Sequence, residues 1–310
     1  MTITMDRAEL QVPHKLEVLK FNRFALNDQK LISTHVETFK PLSCEYNFSN
    51  LFAWQYACKL FWTIYHDRIL IYDGVSKCAF MPLGEDLCPK ELMILSLKLK
   101  YMGLSPDFSL VSSEYIKKYS DLEKYYIVKK ERDNSEYIYD VEALCELKGI
   151  KLHKKRNLIS QFKRTYSDFE VHELKDKYRY KALELAQNLI KQRKYPSITI
   201  DHEFSAIKIS FDNFDELGLH GLAITVGSRL VAFCVFSRLC PLTYDIQFEK
   251  FDANFKGAAQ VINHETAKYL RKKCQYLNRE QDLGIAGLRQ AKMSYDPVNL
   301  ITPYSLVFTL

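Results

Sequence analysis

The chain has 310 residues, 47% hydrophobic and 26% charged, with 44 Lys and Arg against 38 Asp and Glu for a net charge of +6. That balance is ordinary for a folded globular chain and excludes long disorder, and the length suits two cores better than one. No run approaches the ~18 apolar residues needed to cross a bilayer, and no signal-peptide pattern opens the chain, so we expect no transmembrane segment and a cytoplasmic location.

Residues Leu60 to Tyr72 read as two β-rich runs around a polar turn at His66-Asp67, which signals a hairpin. A third apolar run follows at Cys78 to Met81. Pro89 then opens a helix with an apolar stripe at Leu92, Leu95, Leu99 and Met102, and Gly103 closes it. The turn before that helix, Leu83-Gly84-Glu85-Asp86-Leu87, carries two carboxylates that would repel a phosphate.

At the midpoint, Lys and Arg occupy 148, 151, 154, 155, 156, 163 and 164, and no acid lies between Lys148 and Arg164. Leu152, Ile159, Phe162 and Tyr166 fall on one helical stripe, with Lys154, Asn157, Gln161 and Arg164 opposite, so the cluster rides on a packed helix. Its charge suits the phosphates of a nucleic acid, an anionic membrane surface met peripherally, or simple solvation of an interdomain helix. A second helical stripe follows at Tyr178, Ala182, Leu185 and Leu189.

The order of elements then recurs: Leu222 to Phe236 forms a hairpin around Gly227-Ser228, followed by a strand from Tyr244 to Phe251 and a helix from about Ala258 to Lys273. Mixed strands and helices in this order imply an α/β (α+β) fold with central sheets flanked by helices. We expect two domains, residues 1–148 and 149–310. Alternation along the strand predicts Asp245, Gln247 and Glu249 on one face, either solvated or lining a cleft, with Glu249 a candidate base. The turn Asn254-Phe255-Lys256-Gly257-Ala258-Ala259 offers free amides, a helix dipole and a lysine to an anion, or else Gly257 merely permits a tight turn and close packing. Gly284 and Gly287 in the last polar block suggest a loop-rich surface rather than a helix.

The eight cysteines, at 44, 58, 78, 88, 145, 234, 240 and 274, form no CxxC pair, so reduced thiols are expected. His172-Glu173, His202-Glu203 and His264-Glu265 each lack the second histidine of an HExxH helix, so no metal site is expected.

The turn Asn254-x-x-Gly257-x-Ala259, with the hairpin before it, resembles the Q/R-x-x-G-x-G/A segment of GNAT acyltransferases, with Asn replacing Gln or Arg. Three further blocks resemble the C-terminal domain of bacterial phosphatidylglycerol lysyltransferases and related standalone proteins. They are Tyr46 to Trp54 (YNFSNLFAW), Leu147-x-Gly149 with Lys154-Lys155-Arg156-Asn157, and Asn278 to Pro297 (NREQDLGIAGLRQAKMSYDP). The resemblance implies tandem GNAT-like domains, similar in architecture to Fem-type enzymes, the first domain keeping a degenerate phosphate turn and the second carrying the site. It implies an aminoacyl-tRNA donor, no required cofactor, and an amine or hydroxyl acceptor such as a lipid headgroup or peptide. The lysyltransferases carry an integral membrane region ahead of this domain; without one, a lipid acceptor would have to be met peripherally.

On that reading Glu249 and Tyr295 are the candidate acid–base residues, and amides where the strands Leu230–Phe236 and Tyr244–Phe251 splay apart are candidate oxyanion donors. Asn254, Lys256, Gly257 and Ala258 would hold the donor's phosphate, or acetyl-CoA if the chain is an N-acetyltransferase. Lys154, Lys155, Arg156, Asn157, Asn278, Glu280, Asp282, Arg289, Lys292 and Ser294 are candidates for ligand recognition. A catalytically silent GNAT-fold binding protein is a third reading.

Overall fold

A computed structural model describes residues 18–41, 43–191 and 198–310. The first half forms α1 (Gln29–Phe39), α2 (Phe48–Trp54), β1 (Leu60–Tyr65), β2 (Arg68–Asp73), β3 (Cys78–Phe80), α3 (Pro89–Tyr101), β4 (Phe108–Val111), α4 (Ser113–Lys118), β5 (Tyr126–Lys130), β6 (Glu136–Asp140) and α5 (Val141–Glu146). There follow α6 (His153–Thr165), β7 (Phe169–Glu173), α7 (Asp176–Lys191), α8 (Ile198–Asp212), β8 (His220–Val226), β9 (Arg229–Cys240) and β10 (Thr243–Phe251). The chain ends with α9 (Ala258–Leu270), β11 (Tyr276–Gln281), α10 (Ala286–Met293), β12 (Asn299–Ile301) and β13 (Tyr304–Phe308).

Local chemistry explains most of these boundaries. His66 and Asp67 both take left-handed φ (47° and 61°), the primed turn that matches the twist of β1 and β2. Pro89 stands at the start of α3, Glu91 Oε2 accepts from the Cys88 amide at 2.7 Å, and Gly103 turns left-handed just past the end. Leu152, Ile159 and Phe162 are buried along α6, as its stripe predicts.

The fold is mixed α/β, with two helix-flanked sheets, ordered β1-β2-β3-β4-β13-β5 and β12-β6-β11-β10-β9-β8-β7. In the first, β1, β2 and β3 are antiparallel and β4 returns parallel to β3 after α3. In the second, β8, β9 and β10 are antiparallel and β11 returns parallel to β10 after α9. The next strand of each sheet comes from the other end of the chain: β6 lies between β11 and β12, while β13 lies between β4 and β5. The sheets therefore do not part company at residue 148; β6 and α5 lie with the second sheet and β13 with the first.

A shared core fills the space between the halves, joining Phe48 and Leu51 of α2 and Ile69 of β2 to Phe233 and Val235 of β9. Opposite it, α6 and α9 pack Phe162, Val261 and Ile262 against Phe236 and Ile224. The outer face of the first sheet is covered by α3. The last polar block differs from expectation: it is strand β11, a turn and helix α10, with Asn278, Asp282, Lys292 and Tyr295 all buried.

Candidate active site at a strand fork

Parallel pairing of β10 with β11 covers only Thr243↔Tyr276, Tyr244↔Leu277 and Asp245↔Asn278, after which the strands part. The opening expected between Leu230–Phe236 and Tyr244–Phe251 is not there, because β9 and β10 stay paired from Cys240↔Thr243 to Ala232↔Phe251. Instead, β10 bulges between Ile246 and Phe248, which face the consecutive residues Phe236 and Val235. The extra residue resets the alternation. Asp245 and Gln247 meet α2, whereas Glu249 meets α9 and β11, so the expected common face is broken.

The α2 wall is built by an Asn cap. Asn47 Oδ1 accepts from the Ser49 amide and hydroxyl, while Asn47 Nδ2 donates to Ser237 Oγ (2.9 Å) and Asp245 Oδ2 (3.2 Å). One turn on, Asn50 Nδ2 donates to Asp245 Oδ2 (2.9 Å) and Glu280 Oε1 (3.1 Å). Gln247 Nε2 donates to Ser49 Oγ (2.6 Å) and Asn50 Oδ1 (2.9 Å). Behind them, Glu136 of β6 accepts from Ser43 Oγ (2.5 Å), the Cys44 amide (2.9 Å) and Asn278 Nδ2 (2.5 Å).

Glu280 takes a left-handed φ of 53°, held by its amide donating to Asn278 Oδ1 at 2.9 Å. Lys292 reaches in from α10 and donates to Arg279 O and Gln281 O, each at 2.5 Å, capping carbonyls of β11 beyond the last pairing with β10. Burial raises the carboxyl of Asp245 well above its ordinary range, Glu280 to about 8 and Glu45 to about 7, and lowers Lys292 to about 8. Acid groups, Asp245 buried and Glu45 and Glu280 half-buried, thus outnumber the one lysine among them. Asp245 is fully buried, and its Oδ1 has no hydrogen-bond partner among the described residues. Ligand atoms of Cys44, Asp245 and Glu280 lie within 4.8 Å of one another, a set that could hold a cation.

On the α9 side, Arg279 Nη2 donates to Glu249 Oε1 at 2.8 Å, and its guanidinium lies 4.9 Å from the Tyr295 ring centroid. Lys155 Nζ lies 4.0 Å from the same ring. Burial holds the Tyr295 phenol neutral, with its pKa raised. Glu249, Tyr295, Lys155, Asn278, Glu280 and Lys292 are therefore brought together at the fork.

Other candidates go elsewhere. A Cβ on Gly257 (φ 96°) would lie 2.6 Å from Leu158 O and 3.0 Å from Phe162 Cβ, so α6 covers the turn and the close-packing alternative holds there. Ala258 is buried under the same helix, Asn254 bonds Asp252 Oδ1 at 2.9 Å, and Lys256 is exposed. Asp282 is saturated by Tyr137 (2.5 Å), Arg132 (3.1 Å), Arg289 (2.9 and 2.7 Å) and the Gly284 amide (2.9 Å), and Arg289 holds its pKa low. Arg289, which also binds Asp133 at 2.7 Å, is a staple for α10 rather than an open phosphate grip. Ser294 Oγ donates to Ala291 O of its own helix.

The basic cluster also divides. Lys148, Lys151 and Lys163 pair with Glu146, Asp296 and Glu265, and Arg156 donates to Leu147 O and Gly149 O, closing the end of α5. Lys154, Asn157 and Arg164 remain on the exposed face, Asn157 against His153 at 3.2 Å. Residues at the fork that were not singled out are Ser43, Cys44, Glu45, Asn47, Ser49, Asn50 and Glu136, while Asp245 and Gln247 were expected only as a strand face, solvated or lining a cleft. The block Tyr46 to Trp54 contained the usable signal, an Asn-x-Ser-Asn run opening a helix.

The model of the family "Phosphatidylglycerol lysyltransferase, C-terminal" matches residues 36–307. Among solved structures, a conserved protein of unknown function from Bacteroides thetaiotaomicron is similar at 27% identity and a TM-score of 0.85, over 94% of this chain and 100% of that one. The C-terminal domain of a putative lysylphosphatidylglycerol synthetase from Agrobacterium fabrum has a TM-score of 0.62 at 13% identity, over 90% of this chain and 92% of that one. L-PGS from Bacillus licheniformis has a TM-score of 0.61 at 13% identity, over 90% and 91%. No curated protein matches the sequence. With the family model covering most of its length, this chain belongs to the phosphatidylglycerol lysyltransferase C-terminal family.

Proposed function

We propose that the chain transfers an aminoacyl group from aminoacyl-tRNA to an amine or hydroxyl acceptor, with the β10/β11 fork as the site. The observation that carries this reading is the excess of acid groups around Lys292, with Asp245 Oδ1 unpartnered among the described residues. An aminoacyl ester bears a free ammonium that such a pocket would satisfy; an acetyl group has none. The covered Gly257 turn weighs against acetyl-CoA as the donor. In transfer, the acceptor attacks the ester carbonyl, the C–O bond to the ribose breaks, and the leaving oxygen takes a proton. On this reading Lys292 and Arg279 would stabilise the oxyanion, and Glu249, which accepts from Arg279, would take the acceptor's proton. Lys154 and Arg164 are exposed for tRNA phosphates.

Scanning fluorimetry with lysinamide, acetyl-CoA and uncharged tRNA tests the reading, because a ligand that binds only the folded state raises Tm. Lysinamide should raise Tm, and Asp245→Asn should abolish the shift. A shift with acetyl-CoA and none with lysinamide or tRNA would sink the aminoacyl donor.

A further inference from the structure

One corner of the fork joins three side chains of mixed chemistry from distant parts of the chain. Cys44 precedes α2, Asp245 lies on β10 and Glu280 lies near the end of β11, and one ligand atom of each is within 4.8 Å of the others. Each is held from behind. The Cys44 amide donates to Glu136 Oε2 at 2.9 Å, Glu280 is fixed at its left-handed φ by Asn278, and Asp245 Oδ2 takes both Asn47 and Asn50. Asp245 Oδ1 is left over as the oxygen free for an ion, buried and without a hydrogen-bond partner among the described residues. Gln247 Oε1, in the same network through Asn50, is a second such acceptor. A buried carboxylate oxygen left beside a thiol and a second carboxylate is costly unless a cation joins them.

The donor set selects the cation. Magnesium and calcium take oxygen ligands, whereas one thiolate with two carboxylates suits zinc(II). We propose that Cys44, Asp245 and Glu280 form a zinc(II) site in the fork. The Cys44 thiol proton leaves to solvent as the Zn–S bond forms, and the three anionic ligands then exceed the charge of the ion by one. Lys292, which donates to the carbonyls on either side of Glu280, offsets that excess. Bonds of about 2.3 Å to sulfur and about 2.1 Å to oxygen put tetrahedral ligand atoms about 3.5 Å apart, so the half-buried Glu280 carboxyl needs to swing in by at most about 1 Å. Asn47 and Asn50 already hold the outer oxygens of the carboxylates, as ligating carboxylates require. Zinc and a donor ammonium would compete for Asp245, so zinc should inhibit transfer; that consequence rests on the proposed function, while zinc binding does not.

Titration of the metal-stripped full chain with cobalt(II), a spectroscopic stand-in for zinc(II), tests the site without tRNA or turnover. Cobalt should give a thiolate-to-metal charge-transfer band in the near ultraviolet, which zinc removes and excess magnesium does not. Cys44→Ser should abolish the band, whereas Cys88→Ser, at the start of α3, should keep it. Asp245→Asn and Glu280→Gln should each weaken zinc binding about tenfold or more. Glu280→Gln alters a half-buried group, so it reads the site even where Asp245→Asn unfolds the chain. A cobalt complex without the band, a band unchanged in Cys44→Ser, or zinc affinity unchanged in Glu280→Gln would overturn the proposal. A Tm shift with lysinamide and no zinc binding would overturn the zinc site alone. Zinc bound through Cys44 and indifferent to lysinamide would uphold it and count instead against the ammonium in the fork.

Discussion

Replacing Gly257 by Ala tests whether the turn before α9 is a packing device or an open anion cradle. A left-handed residue with a Cβ costs about 1–2 kcal/mol in backbone strain. The added Cβ would also lie 2.6 Å from Leu158 O, a backbone atom, and 3.0 Å from Phe162 Cβ, so α6 as a whole must give way. Overpacking of that kind costs about 1–3 kcal/mol, and together the terms predict a loss of about 2–5 kcal/mol. Urea unfolding followed by far-UV circular dichroism measures it directly, provided the slope with denaturant is unchanged. Because α6 also carries Lys155 over Tyr295, the same variant should perturb tyrosine fluorescence at the fork. A loss below about 1 kcal/mol, accompanied by weaker anion binding, would refute the packing account and restore the cradle.

Burial raises Glu45 to about 7 and Glu280 to about 8, so between the ordinary carboxylate range and those values the folded chain binds protons that the unfolded chain has released. Their stabilisation is complete below about pH 4.5 and is lost as pH rises through about 7 to 8, at no more than about 1.4 kcal/mol per group per pH unit. Unfolding free energy should therefore fall from about pH 5 to about pH 8, and Glu280→Gln should flatten the slope; a profile rising over that range would contradict the buried-acid account. On α6, Lys154→Ala with Arg164→Ala should weaken tRNA binding and reduce its salt slope without affecting stability. Arg156→Ala should instead cost about 1–2 kcal/mol in urea unfolding, since it frees the carbonyls of Leu147 and Gly149; equal effects of both changes on tRNA affinity would place Arg156 back among the phosphate contacts.

Elements fixed by local chemistry were legible. His66-Asp67, Pro89 with Gly103, and Gly227 mark turns and caps within a few residues of where they act, and the stripe of α6 is a property of one helix. The fork was not legible for three physical reasons. The bulge in β10 depends on its pairing with β9, and alternation alone puts Glu249 with Asp245. Gly284 and Gly287 looked like loop residues, yet Gly287 lies inside α10 and Gly284 makes its turn against Asp133. The acids that neutralise Lys151 and Lys163, Asp296 and Glu265, lie over 100 residues away, so a charge count within the segment overstates the free positive charge.

The exchange of β6 and β13 explains why the fork must be a property of the whole chain. Asn47, Ser49 and Asn50 come from α2, Glu136 from a strand lent to the second sheet, and Asp245, Gln247, Glu280 and Lys292 from the second half. An isolated half would lack the strand that completes its sheet and half of the polar network. Buried carboxylates with raised pKa oppose folding near neutral pH, so they persist only where surrounding cores hold the geometry. Here that support is the shared layer of Phe48, Leu51, Phe233 and Val235, which presses α2 onto β9 beside the fork. On the proposed reading, a ligand ammonium would offset the same unfavourable burial within a network that both halves already hold in place, so its binding should not require domain closure.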